Sequence, residues 1–225
     1  MKKIKQTFNN NFKNILTIAE IGVNHDGKLH KAFKLIENAK KAGFQAAKFQ
    51  VYKVENLLIP ETPLAEYQKK GVSNSNMFDL LKKFSFRFDE FEKLKKYCDK
   101  LNISFLATPF DNESAYFLNK LNVEAFKVSS GDLNNFYLLK YIKSFKKPII
   151  ISTGLFEIKD LKKTLKFLDY DKKKLAILHC ISSYPTKLLN TQLSNINEIK
   201  KFKNPVGFSD HTIGKDASIS ALSLG

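Results

Sequence analysis

Lys48 and Gln50 stand two residues apart in the apolar run AAKFQV, with Phe49 between them. On a β-strand that spacing puts Lys48 and Gln50 on one face and Phe49 on the other. A lysine facing the inside of a fold must meet an anion, because an unpaired buried ammonium is expensive. The same reasoning applies to Lys127, which stands in AFKVSS beside Ser129 and Ser130. Two such lysines, with Ser130, Ser152 and Ser209 at the ends of apolar runs, compose a site suited to phosphate and carboxylate. The competing reading pairs each lysine with an inward acid, Glu20 or Asp132. No Walker-type loop is present, so a nucleotide triphosphate is excluded. Glu20, in TIAEIGVNH, either neutralises Lys48 or works as a general acid or base. Asn24 and His25 follow it, and His25 reads as an exposed loop residue or a catalytic one. By alternation His211 in FSDHT faces the same side as Ser209, as a candidate metal ligand or a hydrogen-bonded core histidine. His179 sits on a strand at the same level, and His30 falls on an exposed helix. Spacing supplies no second metal ligand, and Cys180 reads as a small packing residue.

The elements that must position these residues alternate. Expected strands are Thr17–Gly22, Ala46–Tyr52, Ser104–Phe110, Ala125–Ser130, Pro148–Thr153, Leu175–Ser182 and Val206–His211. Several are near-continuous apolar runs, as parallel strands covered on both faces should be. Helical periodicity fills Lys28–Gly43, Asp89–Leu101, Glu113–Leu121, Phe136–Phe145, Ile158–Leu168 and Leu193–Phe202 between them. This alternation implies a parallel sheet of right-handed crossovers. No dinucleotide-type glycine fingerprint follows the first strand. Glu20, Lys48, Gln50, Thr108, Lys127, Ser130, Ser152, His179, Ser209 and His211 all fall at strand ends, the pattern of a (β/α)8 barrel. Seven strands are found, and Lys215–Gly225 begins the seventh helix. The expectation is a TIM barrel truncated before its eighth strand, preceded by an extension over residues 1–14. The stretch Lys53–Phe84 is long enough to be a functional lid.

The 225 residues are 43% hydrophobic and 27% charged, which excludes a disordered chain and suffices for one sizeable core. No apolar run approaches the roughly 20 residues that span a bilayer. Two cysteines make no disulfide framework. A cytoplasmic protein with no membrane partner is expected. The net charge of +16 suggests nucleic acid, but only Arg87 among the 38 basic residues is arginine. Nucleic-acid readers lean on the planar guanidinium, and these lysines are scattered over helix faces.

The ordered motifs IAEIGVNHDG, KFQVY, AEYQKKG, FLATPFD, FKVSSGDL, PIIISTG, LHCISSYPT and VGFSDHTIG resemble the sialic acid synthase family over about residues 15–225. That family comprises N-acetylneuraminate, legionaminate and pseudaminate synthases. The resemblance implies a barrel followed by a small antifreeze-like domain, a domain-swapped homodimer, and condensation of phosphoenolpyruvate with an amino-sugar. By motif, Lys48, Lys127, Ser130, Ser152 and Ser209 would hold phosphoenolpyruvate, with Thr108 near the phosphate. Glu20 would be the acid/base, and Gln50 and Tyr184 would contact the sugar. His211 would be one of two histidines on a divalent cation, usually manganese, the other lying in the missing eighth strand. Asp132, which the resemblance places among the substrate-binding residues, stands where many members have Glu, and Ser182 where sialate synthases often have Asn. The substrate stays open between N-acetylmannosamine and 2,4-diacetamido-2,4,6-trideoxymannose. The rivals are a barrel aldolase with a Schiff-base lysine, an inactive truncated remnant and a polyanion-binding module. Borohydride trapping separates the first of these. The chain alone is expected to be inactive and poorly stable.

Overall fold

The computed structural model describes residues 3–9, 14–64 and 76–225. An N-terminal helix α1 (Lys3–Asn9) was not expected inside the extension. It buries Ile4 completely and Phe8 almost so, an apolar pair four residues apart on one helical face. By compactness the chain divides into a unit formed mainly by Asn14–Glu124 and one formed mainly by Ala125–Gly225.

In the first unit, β1 (Ile18–Gly22), β2 (Ala46–Val51) and β3 (Ser104–Pro109) lie side by side and parallel, in chain order. Helix α2 (Leu29–Lys41) joins the first two strands and buries Ala32, Ile36 and Ala39. Between β2 and β3 come α3 (Met77–Phe84) and α4 (Phe88–Lys100), and α5 (Asn112–Lys120) follows β3. Asp111 starts α5 by accepting the N–H of Ser114 at 2.8 Å, a carboxylate cap on otherwise unpaired amides. The core is aromatic: Phe49 stacks on Phe105 at 5.3 Å and meets the edge of Phe91 at 6.5 Å. The expected lid region resolves into a one-turn 3-10 helix, Val54–Asn56, and α3. Its AEYQKKG motif, residues 65–71, lies outside the described residues.

The second unit repeats the pattern with β4 (Phe126–Val128), β5 (Ile149–Ser152), β6 (Leu175–His179) and β7 (Val206–Phe208). They are parallel and neighbour one another in chain order. Helices α6 (Phe136–Ser144), α7 (Ile158–Leu168), α8 (Asn195–Lys200) and α9 (Asp216–Ser223) follow the strands in turn. Seven parallel strands are present among the described residues, and no eighth.

Several strands end earlier than their apolar runs predict, β4, β6 and β7 by two or three residues. Strand β4 stops at Val128 because the Ser129 hydroxyl donates to Asp132 at 2.6 Å, closing a 3-10 turn over Ser130–Asp132. Strand β7 stops at Phe208, and Asp210 accepts the N–H of Thr212 at 2.8 Å in a tight turn. Ser130, Ser209 and His211 therefore lie in loops beyond their strands, and strand alternation does not orient them.

Phe91 is 2% exposed and touches Phe49, Phe86 and Phe117. Phe91→Ala is expected to lower unfolding free energy by about 3–5 kcal/mol, read from urea denaturation.

Candidate active site

In the first unit, Glu20 and Lys48 are register partners on β1 and β2. Lys48 Nζ lies 2.6 Å from Glu20 Oε2, with side-chain exposures of 9% and 54%. The pairing read as the alternative to anion binding is thus formed, but from a carboxylate that is half open to solvent. Glu20 is the middle residue of β1, just before the strand kinks. The register between β1 and β2 breaks between Glu20 and Gly22, and Gly22 has φ +51°. A Cβ on Gly22 would lie 3.2 Å from Glu20 Oε1 and 3.8 Å from Gln50 Nε2. Glycine therefore lets the carboxylate and the amide converge over the backbone. Gln50 is in register with Thr108 on β3, which is 1% exposed. Gln50 and Thr108 thus stand next to the carboxyl ends of β2 and β3, and the Glu20–Lys48 pair lies mid-strand, two residues earlier on β2.

His25, read as exposed or catalytic, is 2% exposed and stacks on Phe86 at 4.2 Å. Its Nδ1 accepts the Gly27 N–H at 3.1 Å. Burial pushes its pKa below the ordinary histidine value, against a hydrogen bond with the Gly22 backbone and the charges of Asp26 and Glu90. The ring braces the loop behind Gly22 as a neutral group.

In the second unit, Lys127 is 5% exposed and donates to Ser152 Oγ at 2.5 Å and to the Val128 carbonyl at 2.7 Å. Ser152 closes β5, so a cation and a hydroxyl sit together at the ends of neighbouring strands. Ser130 Oγ accepts the Gly154 N–H at 2.9 Å and lies 3.2 Å from Cys180 Sγ. Asp132 closes the 3-10 turn that Ser130 opens. Its two oxygens accept from Ser129 Oγ at 2.6 Å and Asn135 Nδ2 at 3.2 Å, which turn the chain into α6. Ser209 follows β7 and its N–H donates to the His179 carbonyl at 2.8 Å.

His211 donates from Nδ1 to the Ile181 carbonyl at 2.6 Å, since a carbonyl only accepts. In a neutral ring that leaves Nε2 as the basic nitrogen, a common preparation for a ligating histidine. Tyr184, half exposed, lies 4.5 Å from it, ring to ring. One imidazole is nevertheless not a cation site. Among the described residues no three His, Cys, Asp or Glu side chains gather to hold a metal. Burial raises the Asp210 carboxyl, but hydrogen bonds from Ser218 and Thr212 outweigh it and hold the group below the usual range. His179 is a core histidine: Nε2 meets the Thr191 carbonyl at 2.7 Å and the ring faces Phe208.

The contributions of Gly154 and of the Ile181 carbonyl are backbone ones that residue types do not announce. The signal available for Gly154 was a glycine placed directly after the strand PIIIST. A Cβ there would lie 2.6 Å from both Cys180 Sγ and Ser182 Oγ.

Parallel β/α units with cations and hydroxyls at their carboxyl strand ends define a barrel-type α/β protein. Residues 35–225 match the NeuB family, and the chain belongs to it. It is 37% identical over 218 residues to the N,N'-diacetyllegionaminic acid synthase of Campylobacter jejuni, covering 95% of this chain and 65% of that protein. It is 32% identical to the human N-acetylneuraminate-9-phosphate synthase, covering 92% of this chain and 58% of that one. The solved N-acetylneuraminic acid synthetase of Leptospira borgpetersenii matches with TM-score 0.83 at 32% identity, covering 95% of this chain and 70% of that one. The expected fold class, a (β/α)8 barrel with seven strands present, is borne out. The chain spans 58% to 65% of the length of these curated relatives.

Two buried histidines set a pH dependence. His25 and His179 both titrate below 6.5 in the folded chain, burial being the main cause in each. As pH falls below that value the unfolded chain takes up the protons first, so stability is full above it and declines beneath it. Urea midpoints are expected to fall between about pH 7.5 and about pH 5.5, and His179→Gln should flatten that slope.

Proposed function

We propose that the chain is the barrel part of a synthase that condenses phosphoenolpyruvate with the open-chain aldehyde of an N-acetylated amino-sugar. The products are a nonulosonic acid and phosphate. The sugar is N-acetylmannosamine or 2,4-diacetamido-2,4,6-trideoxymannose; relatives with both legionaminic and neuraminic names support that class. The observation that carries the reading is the pair of nearly buried lysines, Lys48 and Lys127, each on a parallel strand among polar partners.

In this reading Lys48, Lys127, Ser130, Ser152 and Ser209 hold the carboxylate and phosphate of phosphoenolpyruvate, with Thr108 near the phosphate. Gln50 and Tyr184 contact the sugar. Asp132 acts by shaping the turn that carries Ser130. The divalent cation that the resemblance implies, manganese in most members, would take His211 as one of its ligands and supply Lewis acidity. The methylene carbon of phosphoenolpyruvate forms a C–C bond to the aldehyde carbon, whose oxygen gains a proton. Positive charge develops at the enol carbon, and water adds there and loses a proton. The tetrahedral intermediate collapses with C–O cleavage, releasing phosphate. Preorganised ammonium groups stabilise the anions throughout. Glu20 moves the proton of the aldehyde or of the water. Its half-open carboxylate, anchored by Lys48 on one oxygen, supports that role. The working protein is a cytoplasmic homodimer.

Glu20→Gln in a complete enzyme tests the proton-transfer role. The turnover number, followed as nonulosonic acid by the thiobarbituric acid assay, is expected to fall about 100- to 10,000-fold. Phosphoenolpyruvate affinity should change far less. Weakened binding with a near-normal turnover number would reduce Glu20 to the counter-ion of Lys48.

A further inference from the structure

Ser130 and Cys180 come from different strands. Ser130 opens the turn after β4, and Cys180 is the residue that follows β6. Their Oγ and Sγ atoms lie 3.2 Å apart, and the two residues are 7% and 1% exposed. The Gly154 N–H reaches the same Ser130 oxygen at 2.9 Å from the loop after β5. The three segments are packed tightly enough that only a glycine fits, since a Cβ on Gly154 would stand 2.6 Å from the sulfur.

A hydroxyl oxygen offers two acceptor positions and one proton. The Gly154 N–H takes one acceptor position. If the thiol donates to the other, the hydroxyl proton is the group left to point outward. If instead the hydroxyl donates to the sulfur, its proton is spent on a weak acceptor and Ser130 has nothing to offer an anion. We infer that Cys180 is a positioning residue: its S–H donates to Ser130 Oγ and, with Gly154, fixes Ser130 as a hydrogen-bond donor toward phosphoenolpyruvate. The inference rests on the synthase reading for its ligand, but the direction of the thiol bond belongs to the protein alone. Gly154 adds a backbone amide that no side-chain substitution removes, so the loss of the thiol weakens this arrangement without abolishing it.

Two measurements test it. In a Cys98→Ala background the remaining S–H stretching band, seen by infrared spectroscopy, belongs to Cys180. It is expected to shift upward on Ser130→Ala, because a donor S–H loses its acceptor; an unmoved band overturns the inference. Calorimetric titration with phosphoenolpyruvate supplies the second arm. Cys180→Ala should weaken binding about three- to ten-fold, the scale of one modest hydrogen bond. Cys180→Ser, which restores a donor, should recover most of that loss, although a buried serine packs no better than alanine. The double variant Ser130→Ala with Cys180→Ala should bind as Ser130→Ala alone does, because the thiol acts only through that hydroxyl. Additive losses, or no rescue by serine, overturn the role of Cys180 while leaving the synthase reading intact. A wild-type chain that fails to bind phosphoenolpyruvate overturns the synthase reading, and the infrared arm still decides the direction of the thiol bond.

Discussion

Everything at the carboxyl ends of these strands answers to one constraint: an ammonium group withdrawn from water must keep charged or dipolar partners. Lys48 and Lys127 are each nearly buried, and the two units meet the requirement differently. Lys48 has a formal counter-ion, Glu20, held by parallel register on the next strand. Lys127 donates to a hydroxyl and to a main-chain carbonyl, dipoles that stabilise a cation. The Lys48 ammonium must be shared between the Glu20 carboxylate and any incoming anion. Glu20 is half exposed, so its carboxylate faces solvent as well as the ammonium.

The same constraint explains the loops. A strand cannot deliver Ser130, Ser209 or His211 at arbitrary angles, because alternation allows only two faces. Short side-chain turns end β4 and β7 early and free those residues to be aimed by local bonds. The Asp132–Ser129 bond starts the turn that carries Ser130. Asp210 holds the turn around His211, and the Ile181 carbonyl sets that histidine's tautomer. His25 does comparable work behind Gly22, where the backbone must pass beneath Glu20 and Gln50.

Much of this was legible in the sequence where the rule involved is local. The two-residue spacing of Lys48 and Gln50, the apolar strand runs and the periodic helices depend on chain geometry alone, and the structure follows them to within a few residues. What the residues did not announce depends on distant partners or on side-chain competition with the backbone. His25 reads as a loop histidine until Phe86, sixty-one positions away, is packed on its ring. Strand alternation oriented His211 for the wrong reason, since a carboxylate one position earlier ends the regular backbone. Helix α1 rests on only two apolar residues, Ile4 and Phe8, in a polar stretch, too faint a period to distinguish from an extension. The closeness of Cys180 to Ser130 arises from the approach of two strand ends fifty residues apart, and no motif encodes it.

The central claim is that buried lysine, not the lysine-rich surface, confers anion binding. Calorimetric titration of phosphoenolpyruvate against Lys127→Met and against Lys166→Met, an exposed position on α7, separates the two. Loss of the charge-assisted bonds should weaken binding about ten-fold or more in the first variant and leave the second near wild type. Equal affinities in the two variants would contradict the claim and return the anion to the general positive charge of the surface.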